Sequence, residues 1–293
     1  MAAKQHIRHP IEWAVDQVKG AEHASVAMIQ SAIGTDKASP VVRRIMLSDL
    51  KDVLAKGFED TFAYRTDVFF LCLVYPVLGL ALISLTFQYA LLPLVFPLVA
   101  GFALVGPVAA VGLYEMSRRR ERGLMVNWSD AFGVVSSHAF GAIVILGLIL
   151  VSIFVLWIFT ASVIYQMTLG PEPPASVTSF INDVLTTKAG WSMIGWGVGV
   201  GFLFALLVLS ISVISFPLLL DREVGVATAV QTSFRALTMN PLPILAWGGI
   251  IAFGLILGSL PFLLGLVFVM PVLGHGTWHL YRKLVSYQPT QSG

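Results

Sequence analysis

The stretch Ser117–Phe132, SRRRERGLMVNWSDAF, is a charged and aromatic segment set between two long apolar runs. Arg118, Arg119, Arg120 and Arg122 crowd together in it, and no other cluster of Lys or Arg occurs between Val68 and Leu280. Because basic residues near membrane-crossing segments are retained on the cytoplasmic side, this cluster is the strongest topological anchor on the chain.

Around that anchor the chain is overwhelmingly apolar. Of 293 residues, 57% are hydrophobic and 12% charged, and the mean hydropathy is +0.84. Soluble domains carry about a quarter charged residues, so the composition is that of an integral membrane protein. Cys72 is the single cysteine and lies in an apolar run, which excludes an intrachain disulfide or thiolate cluster and suits a small core residue. Met1–Pro10 is polar and basic, without the apolar core of a signal peptide, so the N-terminus is expected to stay in the cytoplasm.

About 20 apolar residues cross a bilayer, and six runs qualify: 68–87, 91–116, 139–167, 191–220, 242–257 and 261–280. Pro93, Pro97 and Pro107 should bend the second or delay its start. The third and fourth exceed the bilayer and should tilt or project. With both termini inside, every Lys and Arg except Lys188 falls on the cytoplasmic side, and the opposite orientation would invert that bias. Before the spans, residues 1–40 read as a cytoplasmic tail with an amphipathic helix over 10–33. Residues 49–62 place Leu50, Val53, Leu54, Phe58 and Phe62 on one helical face feeding the first span. Residues 286–293 form a C-terminal tail around the membrane domain at 41–285. A short helix is expected over 177–185 in the longest external loop.

The opening stretch also has counterparts. GLMVNWSDAF (Gly123–Phe132) aligns with GVATAVQTSF (Gly225–Phe234), and PVAAVGLYEMSR (Pro107–Arg118) with PVLGHGTWHLYR (Pro271–Arg282). The fold expected is therefore all-α and polytopic: six transmembrane helices as three hairpins, each preceded by a cytoplasmic amphipathic helix. Gly123–Phe132 should be the surface helix before the third span.

PLVAGFALVGPVAAVGLYEMSRRRERG, SFPLLLDREVGVATAVQTSFRAL, NPLPILAW and MPVLGHGTWHLYRKLV resemble the signature stretches of a prokaryotic integral membrane family of unknown function, DUF2189. The resemblance runs over about 41–285. It implies no established activity, and some members carry a label as putative cytochrome c oxidases, which implies a respiratory association. The catalytic oxidase subunit itself would need more spans and several intramembrane histidines.

Intramembrane ionisable groups usually mark function, and this chain has few. Glu115 can pair with Arg118 and Arg119 along its own helix; no carboxylate sits at a span centre, which argues against ion-coupled transport. His275 and His279 share one helical face, and His138 lies at the same level, so the three are candidate haem or metal ligands. Interfacial histidines among aromatics are the simpler reading, since His279 aligns with the acidic Glu115. No metalloprotease, nucleophile-elbow or phosphate-loop motif is present. Gly195, Gly197, Gly199 and Gly201 form small-xxx-small pairs suited to close helix packing. Trp128, Trp157, Tyr165, Trp191, Trp247, Trp278 and Tyr281 read as an interfacial belt. No cofactor and no nucleic acid are expected. The expected partners are anionic headgroups at the arginine cluster and a membrane protein, in which case the chain is a non-catalytic accessory or assembly factor of a respiratory complex. A small-molecule or lipid transporter or channel, with a cavity among the spans, is the alternative.

Overall fold

The computed structural model describes residues 30, 33–34, 40–63, 65–85 and 89–287, and the helix expected over 10–33 lies almost wholly outside them. In chain order the elements are β1 (Pro40–Val42), α1 (Asp49–Ala63), α2 (Arg65–Cys72) and α3 (Val74–Leu85). Then come a 3-10 turn (Tyr89–Leu94), α4 (Val95–Phe102), a second 3-10 turn (Ala103–Val105), α5 (Gly106–Ala109) and α6 (Val111–Glu121). A 3-10 helix (Trp128–Ser136) precedes α7 (Phe140–Thr168), α8 (Val177–Thr186), α9 (Lys188–Ser212) and α10 (Ser215–Asp221). The chain closes with α11 (Val226–Met239), α12 (Pro241–Ser259), α13 (Leu266–Leu284) and β2 (Val285–Tyr287).

The protein is an integral membrane protein, and four helices among the described residues are long and apolar enough to cross a bilayer: Leu91–Glu121, Phe140–Thr168, Lys188–Asp221 and Pro241–Ser259. The first is the rod interrupted by Pro93, Pro97 and Pro107. Each proline removes a backbone donor, and the chain answers with 3-10 turns. The run expected at 68–87 falls in α2 and α3, which meet at Leu73 with helical bonds from Leu73 N to Phe69 O at 3.1 Å and from Val77 N to Leu73 O at 3.4 Å carried across the junction. The run expected at 261–280 opens in a turn with Phe262 and Leu263 at positive φ. It continues as α13, whose second half carries His275, Thr277, His279, Arg282 and Lys283.

The all-α expectation needs one amendment: β1 and β2 pair antiparallel, Pro40 opposite Tyr287 and Val42 opposite Val285, so the two ends of the expected 41–285 domain and the first tail residues beside them hold each other. The side chain of Asn240 adds to this clasp, accepting from Ile45 N at 2.8 Å and donating to Arg43 O at 3.0 Å.

Helix α1 buries the first part of the expected face, Leu50, Val53 and in part Leu54, but not its end at Phe58 and Phe62. Leu50, Val53, Gly57, Asp60 and Thr61 are buried, whereas Phe58 and Phe62 point outward with their rings stacked 6.4 Å apart. Gly57 is the reason. A Cβ there would lie 2.6 Å from Val272 O of α13, so only glycine lets the two backbones cross at this distance. Gly276 of α13 meets the same crossing from the other side, with Trp247 closing over it.

The main core joins Leu146, Leu150 and Trp157 of α7 to Phe216 and Leu218 of α10, Trp247 of α12 and Trp278 of α13. Trp157, Trp247, Trp278 and Tyr281 therefore leave the expected belt for the interior, and Trp157 Nε1 donates to Pro97 O at 2.9 Å, a carbonyl of the proline-broken rod. Cys72 is buried in a second apolar cluster.

Candidate functional site

Where the last turns of α6, α10 and α13 meet α1, the apolar core gives way to a charged cluster. Helix α6 runs through Arg118, Arg119 and Arg120 and stops at Gly123, which adopts φ 71°. The arginines thus ride a helix C-terminus, where cations are favoured by the carbonyl dipole, and are not loop residues. The chain restarts at Asn127, whose side chain accepts from Ser129 N while Asp130 accepts from Asn127 N. This capping box sets the 3-10 start at Trp128. The α-helix expected over Gly123–Phe132 is therefore non-helical up to Asn127 and 3-10 beyond it, whereas the aligned Gly225–Phe234 segment is α-helical from Val226.

Asp60 is the hub. Its carboxylate accepts from Ser117 Oγ at 2.5 Å and from His279 Nε2 at 2.9 Å, and it pairs with Arg120 Nη1. Arg120 also reaches Glu59 at 2.8 Å. Ser117 Oγ contacts His275 Nδ1 at 2.7 Å. An ionised carboxylate only accepts, so the Ser117 hydroxyl proton is committed to Asp60 and His275 Nδ1–H is the donor to Ser117. The buried His275 Nε2 makes no well-formed hydrogen bond. Burial alone raises the Asp60 carboxyl, but the bonds from His279 and Ser117 outweigh it and hold it at about 2. In a nucleophilic relay the imidazole stands between serine and acid. Here Ser117 stands between the two and is buried, so the chain of bonds locks helices together and activates no nucleophile.

A second set of pairs lies beside the first. Glu115 binds Arg118 and Arg119 at 2.8 and 2.9 Å, the pairing its spacing predicts, and Arg119 continues to Asp130 at 2.6 Å. Arg118 Nη1 donates to Leu220 O at 2.5 Å, capping α10. Arg282 bridges Glu121 and Asp221 at 3.0 and 3.3 Å. Trp278 Nε1 donates to Glu121 and the Tyr281 hydroxyl to Asp221. Between these groups opens a cleft of about 460 Å³ lined by Arg118, Glu121, Arg122, Asp221, Arg222 and Arg282.

Of the four arginines singled out in the sequence, Arg118, Arg119 and Arg120 are thus taken up by the protein's own acceptors. Arg122, about half exposed, makes only a loose 3.8 Å approach to Asp221. The three histidines are not brought to one point: His275 and His279 join the Asp60 network, whereas His138 is exposed and pairs with Glu223 at 3.2 Å. Among the described residues no group of three or more His, Cys, Asp or Glu converges as metal ligands. A Cβ on Gly195, Gly197 or Gly199 would meet nothing within 4 Å, while Gly201 packs on Trp157 of α7. Within the chain, a tight backbone crossing lies at Gly57 and Gly276.

Residues 95–221 match the family model of DUF2189, a predicted integral membrane protein. The DUF2189 match is narrower than the resemblance over 41–285. It runs from the start of α4 to the end of α10 and so contains Ser117, the arginines and Asp221. Asp60 and the α13 half of the network lie outside it. No curated protein and no solved structure matches the chain.

Sequence reasoning missed Asp60, Ser117, Glu121, Asp221, Arg222 and Arg282 as site residues. The second aligned pair carried a signal for Ser117 and Arg282 alone: Pro107–Arg118 and Pro271–Arg282 contain them and supply α6 and α13, which pack together with Leu113 against Gly274.

Proposed function

We propose that the protein is a non-catalytic docking platform of the prokaryotic inner membrane, oriented with both termini in the cytoplasm. Its arginine-bearing face holds anionic headgroups and a second membrane protein. We further propose that α2–α3 and α13 complete the six membrane elements as three hairpins. The observation that carries the reading is the contrast on α1. Its inner face is locked to α6 and α13 through Asp60, while Phe58 and Phe62 are 50% and 55% exposed on the outer face. A rigid face that presents apolar side chains next to charged ones is the surface expected of a contact site. The oxidase label attached to proteins this chain resembles supports a respiratory complex as the partner.

Purification of the full chain in mild detergent, followed by mass spectrometry of co-eluting membrane proteins, tests the reading. One companion at constant stoichiometry is expected, with recovery falling several-fold for Phe58→Ser/Phe62→Ser while the variant stays monodisperse. Recovery of the protein alone, or a companion indifferent to those substitutions, overturns it.

A further inference from the structure

The sequence of α8, VTSFINDVLT, places Val177, Phe180, Ile181, Val184 and Leu185 on one helical face and Asn182, Asp183 and Thr186 on the other. The protein covers only part of the apolar face. Phe180 and Val184 are half-buried, Phe180 with its ring 6.3 Å from that of Tyr165 in α7. Val177, Ile181 and Leu185, one turn apart, carry the same face beyond the protein's edge and are exposed. We infer that α8 is an interfacial helix: this stripe, continued by Trp191 of α9, seats in the boundary between headgroups and acyl chains of the leaflet at that end of the protein. The arginine cluster lies toward the other end of α7, a helix of 29 residues and so about 43 Å long.

The helix is held so that the stripe cannot turn inward. Ser176 and Ser179 cap each other at 3.0 and 3.1 Å. Thr187, in extended conformation, ends α8 and caps α9 by accepting from Gly190 N at 2.9 Å. Gly190 lies so close to Asp183 O and Val184 O that no Cβ would fit, which lays α8 across the first turn of α9. Trp191 Nε1 then donates to Leu185 O at 3.0 Å, setting the exposed indole beside the end of the stripe. Helix α9 opens the membrane-crossing segment Lys188–Asp221. Val198 and Phe202, seven and eleven residues after Trp191, share its face and are likewise exposed. The stripe is therefore continuous with a face that meets acyl chains, and this continuity selects lipid as its occupant. Charge does not hold it there: Glu172, Asp183 and Lys188 are the only charged residues over 169–190, so apolar burial supplies the attraction, with the helix sunk about 5–10 Å into the boundary.

The test uses the full chain in phosphatidylcholine vesicles, with one spin-labelled cysteine at a time at Val177, Ile181, Leu185, Asn182 or Thr186. All five positions are exposed, so the labels leave the packing intact, and Cys72 is buried and takes no label in the folded protein. Collisions with oxygen, which partitions into lipid, are compared with collisions with a water-soluble nickel chelate. The oxygen-to-nickel ratio should be several-fold higher at positions 177, 181 and 185 than at 182 and 186, and should be unchanged when phosphatidylglycerol replaces part of the phosphatidylcholine. Equal ratios at the five positions, or a difference that appears only with phosphatidylglycerol, overturn the interfacial placement. Stripe labels shielded from both reagents overturn it too, and spectral broadening that fades on dilution with unlabelled protein would assign the stripe to a second copy of the chain.

Discussion

Asp60→Ala removes the acceptor shared by Ser117, His279 and Arg120. The side chain is 8% exposed and its arginine partner 27%, so the pair is largely withdrawn from water. Deleting one partner of such a pair costs about 3–5 kcal/mol when the other charge is left unpaired; Arg120 keeps Glu59 at 2.8 Å, so the loss comes mainly from the Ser117 and His279 donors and falls at the low end, about 3 kcal/mol. At roughly 2–4 °C per kcal/mol for a chain of this size class, the melting temperature in detergent should fall by about 6–12 °C. Tryptophan fluorescence reports this directly, since Trp278 and Trp247 pack within a few residues of the network on α12 and α13. Acid titration gives the same residue an independent signature. The Asp60 carboxyl, at about 2 in the folded protein, lies below its unfolded value near 3.9, so folding favours the charged form. The stabilisation, about 2 kcal/mol, is fully present above about pH 4 and is lost as the pH falls through about 2. Wild-type stability should therefore decline across that window, and Asp60→Asn should lack that component of the decline. A melting temperature for Asp60→Ala within about 2 °C of wild type, or identical acid profiles for wild type and Asp60→Asn, would refute the hub.

Gly57→Ala and Gly276→Ala drive a methyl against Val272 O at 2.6 Å and the Trp247 ring at 2.7 Å; each should destabilise by about 1–3 kcal/mol. Gly197→Ala, which meets nothing within 4 Å, should be neutral or stabilising by up to about 1 kcal/mol from helix propensity, and thermal melts of the three variants decide between the two glycine sets. Trp157→Phe loses the 2.9 Å bond to Pro97 O and should cost about 1 kcal/mol, read in the same melts. Because Cys72 is buried, it should resist maleimide until the protein unfolds. A cysteine at Glu172 should label on intact cells with an impermeant maleimide and one at Met125 should not; the reverse pattern would invert the proposed orientation.

What was legible in the sequence follows from local chemistry. The proline-broken rod at 91–116, the long helices over 140–168 and 188–221, the short helix at Val177–Thr186 and the Glu115 pairs with Arg118 and Arg119 all depend on residues a few positions apart. The end of the α1 face was misjudged because hydrophobicity pointed to Phe58 and Phe62, while the neighbour that decides the matter, Val272 O, is more than 200 positions away. The tryptophans were assigned to a belt for the same reason. Indole position in sequence says nothing of whether a helix such as α13 turns it inward.

Membrane residence was determined by composition alone, since so little charge and so much apolar surface have no stable place in water. The bias of Lys and Arg that motivates the orientation is likewise written in the chain. The fate of Ser117–Phe132 was decided only by the tertiary structure. Four arginines in a row of five positions have the same sequence whether they lie on a lipid surface or inside a protein, because charge is a property of the residue. Asp130 comes from the 3-10 helix that follows α6, but the other partners, Asp60, Asp221 and the carbonyl of Leu220, reach them only when α1 and α10 pack beside α6.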